Sequence, residues 1–465
     1  MTSPSVFIKV LVNETALQRY NVVLSERELA LIWSFMISIY AIGGLVGGLL
    51  AGWLLSYGRK RCLLLNNVFA ILGSALMISS RPARSFEMIM AGRFIYGVNA
   101  GVTLSAHTLY VIECTPTKLR GMVGVTVGTF ISLGKFTGQL LGLSQLLGSE
   151  HLWPWLLGFS GVVALLQLLI LPLLPESPKF LLLERGDQVA CEKSLTRLCG
   201  SMDIKKEVEE MLKEKSAVQN VRSHSVMELM RKKSLRWQLA TTVVFFTVLQ
   251  LSGINAVYFY SFEVFREAGI QEDKLRFAAL GTGLCELTTS ITCFLIIGRF
   301  GKRFLLFRGY LGMSVTLVLL TITLNLQRLL SWMPYCSMVL VFVFIFFFCI
   351  GPSGVTAPLP GELFTQPYRA AAYTIAACLN WTGLFLLGMV FPVLVEHLKY
   401  FCFIIFLFFC IAATLYTWFC MPETANRTPL EIADEFRRMH SKSTNSQGKQ
   451  LAVNNNLDIV FVTKL

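Results

Sequence analysis

Charged residues are scarce in this chain: Asp, Glu, Lys and Arg make up 15% of its 465 residues, whereas about 25% is usual in soluble domains. The sequence also contains no glycine-rich phosphate loop, no HExxH zinc motif, no GxGxxG dinucleotide motif, no nucleophile elbow and, among its 12 cysteines, no CxxC pair. These absences count against the common nucleotide-dependent, metal-dependent and hydrolytic enzymes. We therefore expect a protein that is not an enzyme and that uses no cofactor and no metal ion.

Apolar residues, in contrast, are abundant. They make up 54% of the chain and include 35 phenylalanines, and many lie in runs of about 20 residues, the length that crosses ~30 Å of hydrocarbon. The net charge of +13 comes without a basic stripe of interleaved aromatic residues, so no nucleic-acid partner is expected. Lys and Arg collect instead in the cytoplasmic loops of membrane proteins. The composition predicts an all-α integral membrane protein whose main partner is the lipid bilayer.

The apolar runs predict about eleven membrane-spanning helices. They lie near residues 30–55, 62–80, 88–112, 122–147, 153–174, 237–262, 277–297, 304–325, 332–357, 370–394 and 399–421. A hydrophilic stretch separates the first five from the last six, and its Lys and Glu pattern predicts short amphipathic helices at the membrane surface. The predicted domains are an N-terminal bundle (1–174), a cytoplasmic linker (175–236), a C-terminal six-helix bundle (237–421) and a cytoplasmic tail (422–465).

The distribution of Lys and Arg predicts the orientation of these helices. Most of the 41 Lys and Arg residues fall on the side of the linker and the C-terminus, and such loops stay in the cytoplasm. The N-terminus of the chain is then extracellular, which places the sequon Asn13-Glu14-Thr15 on the side where glycans are added. We expect a multi-pass protein of the plasma membrane that is glycosylated at Asn13.

Three short motifs occur twice, in the same order and at nearly the same spacing. Gly58-Arg59-Lys60 recurs as Gly301-Lys302-Arg303, Glu113 with Arg120-Gly121 recurs as Glu362 with Arg369, and Pro175-Glu176-Ser177 recurs as Pro422-Glu423-Thr424. Two predicted spans precede the second copy of the first motif, but only one precedes the first copy. We therefore expect two similar six-helix bundles, of which the first lacks its opening helix. A truncated chain, an alternative isoform or a different start methionine would each explain that.

These motifs bring charges of both signs to the predicted cytoplasmic ends of the helices. Ion pairs between the two halves would hold an inner gate closed and would break when the halves rock apart. The alternative is ordinary loop charges in exposed pairs, which contribute little. The repetition favours a gate, with the candidate residues Arg59, Arg93, Glu113, Arg120, Glu176, Arg299, Arg303, Glu362, Arg369 and Glu423.

A second set of polar residues lies deep inside the predicted spans. Such groups are costly in hydrocarbon unless they are hydrogen-bonded, so they are expected to face a cavity or another helix. Gln and Asn offer a donor and an acceptor to a hydroxyl-rich solute, and rings such as Tyr258 and Tyr260 can stack on a sugar. The alternative is a set of hydrogen bonds that only join helices. The candidate solute-binding residues are Gln139, Gln250, Asn255, Glu286, Asn380, Trp381 and Lys135.

Lys135 is unusual because an intramembrane lysine costs about 2.5–3.5 kcal/mol on insertion scales. It lies one turn before Gln139, on the same face of the same predicted helix. Two explanations are open. Either Lys135 borders the cavity and favours a solute with negative charge or many acceptors, or it pairs with a carboxylate such as Glu286.

Taken together, the motifs resemble the facilitative glucose transporters, in the sugar-porter branch of the major facilitator superfamily. The resemblance covers nearly the whole chain and rests on Gly58-Arg59-Lys60, Gly92-Arg93, Glu113 with Leu119-Arg120-Gly121, Pro175-Glu176-Ser177-Pro178, Gln250-Leu251-Ser252-Gly253-Ile254-Asn255-Ala256, Gly351-Pro352, Glu362-Leu363-Phe364 and Pro422-Glu423-Thr424. It implies the fold of that superfamily, facilitated diffusion of hexoses by alternating access, and gate charges at the helix ends. It also implies sugar contacts at Gln139, Gln250, Asn255, Asn380 and Trp381.

Departures from the glucose-type members resemble class II of that family, whose members handle fructose or urate. Phe246-Thr247-Val248 replaces a usual Gln-Leu-Ser, and Glu286 replaces an asparagine of the eighth helix. Within that class, the chain resembles types 11 and 9 and the fructose transporter. Gly298 replaces the Glu of the second gate motif, which implies a weaker inner gate.

The expected function is uniport of a hexose, either fructose or glucose, with urate as a further candidate solute. Two alternatives are open: a proton-coupled sugar symporter, and a truncated membrane protein that does not transport. The last residues, Thr463-Lys464-Leu465, also match the C-terminal ligands that PDZ domains bind by strand addition.

Overall fold

The computed structural model describes residues 4–115, 120–200, 204–218, 224–296, 300–326, 329–398, 401–424, 427 and 429–441. Within these ranges the regular secondary structure is entirely helical, and no β-strand occurs. The prediction of an all-α protein is therefore confirmed.

Before the linker, the described helices are α1 (Ser5–Tyr20), α2 (Glu26–Leu55), α3 (Arg59–Ser79), α4 (Phe86–Cys114), α5 (Arg120–Leu141) and α6 (Trp153–Ile170). α2 begins at a capping box. The Ser25 hydroxyl accepts a hydrogen bond from the Glu28 amide, and the Glu28 carboxylate accepts one from the Ser25 amide. These bonds satisfy backbone groups that the first turn of a helix leaves unpaired.

The sequence did not predict α1, which is too short to span a membrane. Its buried residues Ile8, Leu11, Val12, Thr15 and Ala16 follow the three-and-four spacing of one helix face. The Thr15 hydroxyl donates to the Arg84 carbonyl over 3.1 Å. α1 therefore packs over the turn between α3 and α4.

The linker contains α7 (Gln188–Cys199), α8 (Ile204–Val218) and α9 (Val226–Arg231), so the short helices predicted there are present. Two of them share a small apolar core with the turn before α7. That core consists of Leu182, Cys191, Leu195, Val208 and Met211. The boundaries of the four predicted domains stay predictions.

After the linker, the described helices are α10 (Arg236–Leu251), α11 (Ile254–Phe259), α12 (Ser261–Glu267), α13 (Leu275–Ile296), α14 (Lys302–Leu326), α15 (Met333–Phe348), α16 (Gly354–Thr356), α17 (Leu359–Leu363), α18 (Gln366–Leu398), α19 (Cys402–Cys420) and α20 (Pro429–Ser441). The break between α10 and α11 lies at Gly253, where φ is +86°. A side chain there would be strained, and its Cβ would lie 2.3 Å from the Phe406 ring. Gln250 of α10 and Asn255 of α11 lie on either side of this break and are hydrogen-bonded across it.

Eight helical segments of the described residues are long and apolar enough to cross a membrane. They are Glu26–Leu55, Arg59–Ser79, Trp153–Leu173, Lys233–Phe259, Lys302–Leu326, Met333–Thr356, Pro367–Leu398 and Cys402–Cys420. Large apolar side chains such as Leu169, Phe408 and Phe419 are exposed on them, as contact with lipid requires. Since α4, α5 and α13 cover three further predicted spans but are not among the eight, the count of eleven stays a prediction.

Glycines bring α2 and α4 into backbone contact. A Cβ at Gly43, Gly97 or Gly101 would lie 2.1–2.2 Å from a backbone oxygen of the other helix. No side chain fits at such positions. Close approach of this kind is typical of small residues four apart in membrane helices.

The first-half and second-half helices meet along two interfaces, where α2 packs against α18 and α5 packs against α13. We call these the α2–α18 seam and the α5–α13 seam. The polar residues predicted to bind a solute lie on or beside them.

Candidate functional site

The α5–α13 seam carries polar side chains from both halves. The Lys135 ammonium on α5 donates to Glu286 Oε1 on α13 over 2.8 Å. One turn earlier on α5, the Ser132 hydroxyl lies 2.9 Å from the Ser290 hydroxyl and 3.3 Å from Glu286 Oε1. An ion pair with two flanking hydrogen bonds thus joins the halves within the predicted spans.

Gln139 extends this set by one turn in the other direction. Its Nε2 donates to the Thr282 hydroxyl over 3.2 Å. The helices come this close because residue 283 is glycine, where a Cβ would lie 2.0 Å from Gln139 Oε1. From residue 132 to residue 139, polar contacts across the seam extend over about 10 Å of helix.

The structure shows the second of the two explanations for Lys135. Besides its bond to Glu286, the ammonium lies 4.4 Å from the centre of the Tyr258 ring, a cation–π distance. The Lys135 side chain is 42% exposed, and that of Glu286 is 8% exposed. Since the carboxylate compensates the ammonium, Lys135 does not present an isolated positive charge to a solute.

Beside this pair, the buried Gln139 Oε1 accepts no hydrogen bond from any described residue. Because an unsatisfied buried polar group costs about 1–3 kcal/mol, this oxygen is poised to accept from water or from the hydroxyl groups of a solute.

Gln250 organises a second polar group between α10, α11 and α18. Its Nε2 donates to Asn380 Oδ1 over 2.7 Å, and its Oε1 accepts from Asn255 Nδ2 over 2.7 Å. Gln250 is 3% exposed. Asn255 and Tyr258 are three residues apart on α11, so this short helix connects the second group to the ion pair at the α5–α13 seam.

The aromatic candidates pack against protein in this structure. Trp381 is 6% exposed, and its ring lies against α2, where a Cβ at Gly44 would come within 2.3 Å of it. The Tyr260 hydroxyl donates to the Gly388 carbonyl over 2.7 Å. Stacking of a sugar on Trp381 or Tyr260 therefore requires a rearrangement and stays a prediction.

At the inner end of the first half, Arg59 joins α3 to the end of α4. Its Nε and Nη2 donate to the two Glu113 oxygens over 3.1 and 3.2 Å. Nη2 also donates to Glu184 over 2.5 Å, and the Ser177 hydroxyl donates to Glu113. Arg59 and Glu113 are both buried.

The repeated Pro-Glu motif has equivalent positions in the two halves. Glu176 accepts a hydrogen bond from the Lys60 amide over 2.9 Å, and Glu423 accepts one from the Lys302 amide over 2.8 Å. Each carboxylate therefore lies at the positive N-terminus of a helix, α3 or α14. The equivalence agrees with the internal repeat.

In the second half, Lys302 forms an ion pair with Glu362, and the Arg303 guanidinium donates to the Thr417 and Trp418 carbonyls over 3.3 and 2.5 Å. The inner-end ion pairs named here join residues of the same half or, for Arg59 and Glu184, the first half and the linker, so gate pairs between the halves stay a prediction. Arg369 lies in the first turn of α18. Arg299 and the Arg120 side chain lie outside the described residues.

The structure corrects the position of Arg93. α4 runs from Phe86 to Cys114, so Arg93 and Glu113 are separated by twenty residues, or about 30 Å of helix. The Arg93 guanidinium donates to the Met36 and Ile37 carbonyls of α2 over 3.0 and 2.7 Å. Arg93 therefore does not belong with the charges at the inner end. The Gly-Arg motif identifies the residue but does not indicate how deep in the membrane it lies.

At the opposite end, contacts between described residues also join the halves. Arg27 pairs with Glu396 over 3.5 Å, with side chains 81% and 50% exposed. Arg276 donates to the Gly148 carbonyl over 3.3 Å. The two halves are thus in contact at the ends of the seams that the charge distribution predicts to be extracellular.

The sequon residue Asn13 is exposed on α1, whereas Thr15 is buried. The Thr15 hydroxyl donates to the Leu11 carbonyl over 2.8 Å. The exposure of Asn13 leaves room for a glycan, and glycosylation itself stays a prediction.

Comparison with known proteins places this geometry in a family. Residues 1–436 match the model of the family described as "Sugar (and other) transporter". The chain is 42% identical to mouse solute carrier family 2, facilitated glucose transporter member 9, over 94% of this chain and 82% of that protein. It is also 42% identical to human member 11, over 95% and 89%, and 38% identical to rat member 5, over 95% and 88%.

Solved structures show the same fold. The inward-open xylose transporter XylE of E. coli has a TM-score of 0.74 at 20% identity, with 93% of this chain and 95% of that chain covered. XylE with a bound bromodeoxyglucose has a TM-score of 0.70 at 21% identity, with the same coverage. The superfamily fold, the resemblance to class II members and the prediction that the chain is not an enzyme are confirmed. This multi-pass membrane protein belongs to the sugar transporter family and, within it, to the facilitated glucose transporters of solute carrier family 2.

Proposed function

We propose that the chain carries a hexose across the membrane by facilitated diffusion, with the solute bound between the two halves. The observation that supports this most directly is the polar set at the seams. Gln139 comes from the first half, Gln250 and Asn380 come from the second, and Gln139 Oε1 is buried without a hydrogen-bond donor among the described residues. Groups held in this way offer acceptors to a molecule that carries several hydroxyls.

For the solute we propose fructose or glucose, with urate as a further candidate. Relatives named as facilitated glucose transporters support a hexose. The pairing of Lys135 with Glu286 compensates the ammonium, so this lysine does not favour the anionic urate over a hexose. Binding must be weak enough for release, and a millimolar Kd corresponds to about −4 kcal/mol, a few net hydrogen bonds.

The test is counterflow of labelled fructose, glucose and urate into vesicles that contain the chain. We expect exchange of at least one hexose. Gln250→Ala should raise KM about tenfold or more, because it leaves Asn380 and Asn255 without their common partner. Gln167→Ala is the matched control on an exposed face of α6 and should behave like the unmodified chain.

The same vesicles distinguish the alternatives. No exchange of any of the three solutes by correctly inserted protein would refute the hexose proposal and favour a membrane protein that does not transport. Accumulation driven by a pH gradient would instead favour the proton-coupled symporter.

For the arrangement in the membrane, we propose the plasma membrane, with the N-terminus of this chain outside and the linker and C-terminus inside. The charge distribution supports this orientation. The buried Arg59–Glu113 pair and the Lys302–Glu362 pair would stiffen the inner end of each half. Gate charges would then pair between halves when the inner ends close. A PDZ domain that binds Thr463-Lys464-Leu465 is a further candidate partner, and these residues lie outside the described ranges.

A further inference from the structure

We infer that the Lys135–Glu286 ion pair is the fixed point about which the two halves move, so that Lys135 and Glu286 are positioning residues for transport. This inference rests on the proposed function, because it concerns the motion that would carry a solute. It assigns to the ion pair a role that neither solute binding nor an inner gate includes.

The first argument is where the charges lie. Lys135 belongs to the first half, whereas Glu286 and the Tyr258 ring beneath the ammonium belong to the second. Separating the halves here would expose an unpaired ammonium and carboxylate in the middle of two predicted spans, where such charges are costly. A transport cycle that broke this contact at every turn would be slow.

The second argument is that the contact does not stand alone. The Ser132–Ser290 bond lies on one side of it and the Gln139–Thr282 bond on the other. Gly283 brings the helix backbones close enough to form them. Such a contact permits a small change of angle between α5 and α13 but opposes their separation.

The third argument is the contrast with the end of the other seam. There Arg27 and Glu396 are 81% and 50% exposed, so water replaces the interaction when the pair breaks, and little is lost. The two halves should separate first where the contacts between them are weakest. The exposed end should therefore open while the middle of the α5–α13 seam stays closed.

The test joins the halves covalently at each place. Ser132→Cys with Ser290→Cys, oxidised to a disulfide, fixes the proposed pivot, and Arg27→Cys with Glu396→Cys, joined by a short bifunctional thiol reagent, fixes the exposed end. A protease site inserted between residues 218 and 224 lets a non-reducing gel measure how much protein is cross-linked, because only cross-linked halves stay together after cleavage. Each single-cysteine variant controls for reaction with the native cysteines.

We expect the cross-linked pivot to keep at least half of the counterflow of the same sample after reduction, and the cross-linked exposed end to lose at least tenfold. Loss of counterflow on cross-linking at residues 132 and 290, with recovery on reduction, would overturn the pivot but leave the transport function intact. Loss of all counterflow by the unmodified chain would refute the proposed function instead.

A kinetic measurement tests the proposed pivot even if the cysteine variants transport poorly. Lys135→Leu and Glu286→Gln should lower the maximal rate at least fivefold and change KM less than twofold, because a pivot acts on the motion. The exchanged pair Lys135→Glu with Glu286→Lys should recover most of the rate. A rise in KM of tenfold at an unchanged maximal rate would mean that the two residues bind solute, and would overturn the inference.

Discussion

The Lys135–Glu286 pair should contribute measurably to stability, and a double-mutant cycle can isolate that contribution. Removing one partner of a fully buried pair costs about 3–5 kcal/mol, whereas exposed pairs contribute about 0–1 kcal/mol. With side chains 42% and 8% exposed, this pair lies between those limits. We expect Glu286→Gln or Lys135→Met alone to lower the free energy of unfolding by about 1–3 kcal/mol.

The double variant should lose less than the sum of the single losses, because it leaves no unpaired charge behind. The expected coupling energy is at least ~1 kcal/mol, above the ~0.5 kcal/mol within which independent sites add. Unfolding can be measured in mixed micelles by titration with SDS, followed through the fluorescence of the 8 tryptophans. The exposed pair Arg27–Glu396 supplies the control cycle, with coupling near zero. Additive losses at residues 135 and 286 would refute the reasoning.

Three further predictions concern single positions. Gly283→Ala should lower the free energy of unfolding by about 1–3 kcal/mol through overpacking and should slow counterflow. Gly138→Ala is the control, because a Cβ there meets nothing within 4 Å, and it should change neither. Equal effects of the two substitutions would contradict the close approach of α5 and α13. Burial raises the pKa of the Cys191 thiol from 9.0 to about 11, so maleimide should label this thiol slowly at pH 9. The stability that the protonated thiol gives the linker core should fall as pH rises from 9 toward 11. Rapid labelling of Cys191 in folded protein, measured by mass spectrometry, would refute its burial. Asn13→Gln should abolish a mobility shift on glycosidase treatment, and a shift that persists would place the glycan elsewhere.

The fold followed from the sequence because apolar runs and repeated motifs report directly on spanning helices. The partner of Lys135 was also within reach, since a charge in hydrocarbon requires compensation and Glu286 was the named candidate. The sequence does not predict which particular charges form pairs at the inner end. Arg59 and Glu113 lie far apart in the sequence, and a motif does not state whether its charge meets its own half or the other.

Two other misses have different physical reasons. The Gly-Arg motif does not indicate the depth of Arg93 in the membrane, whereas the number of residues along its span already places it near the opposite end. α1, with 16 residues, is too short to stand out as a run that crosses a membrane. The spacing of Ile8, Leu11, Val12, Thr15 and Ala16 was the signal that could have revealed it.

The burial of Thr15 has a consequence for when a glycan could be attached. An oligosaccharide transferase must reach both Asn13 and the hydroxyl two residues later, and here that hydroxyl is held by the Leu11 and Arg84 carbonyls. Once α1 has settled on the α3–α4 turn, the acceptor sequence is closed to the enzyme. The fraction of chains that carry a glycan would then indicate how long Asn13 remained accessible during translocation before α1 packed against this turn.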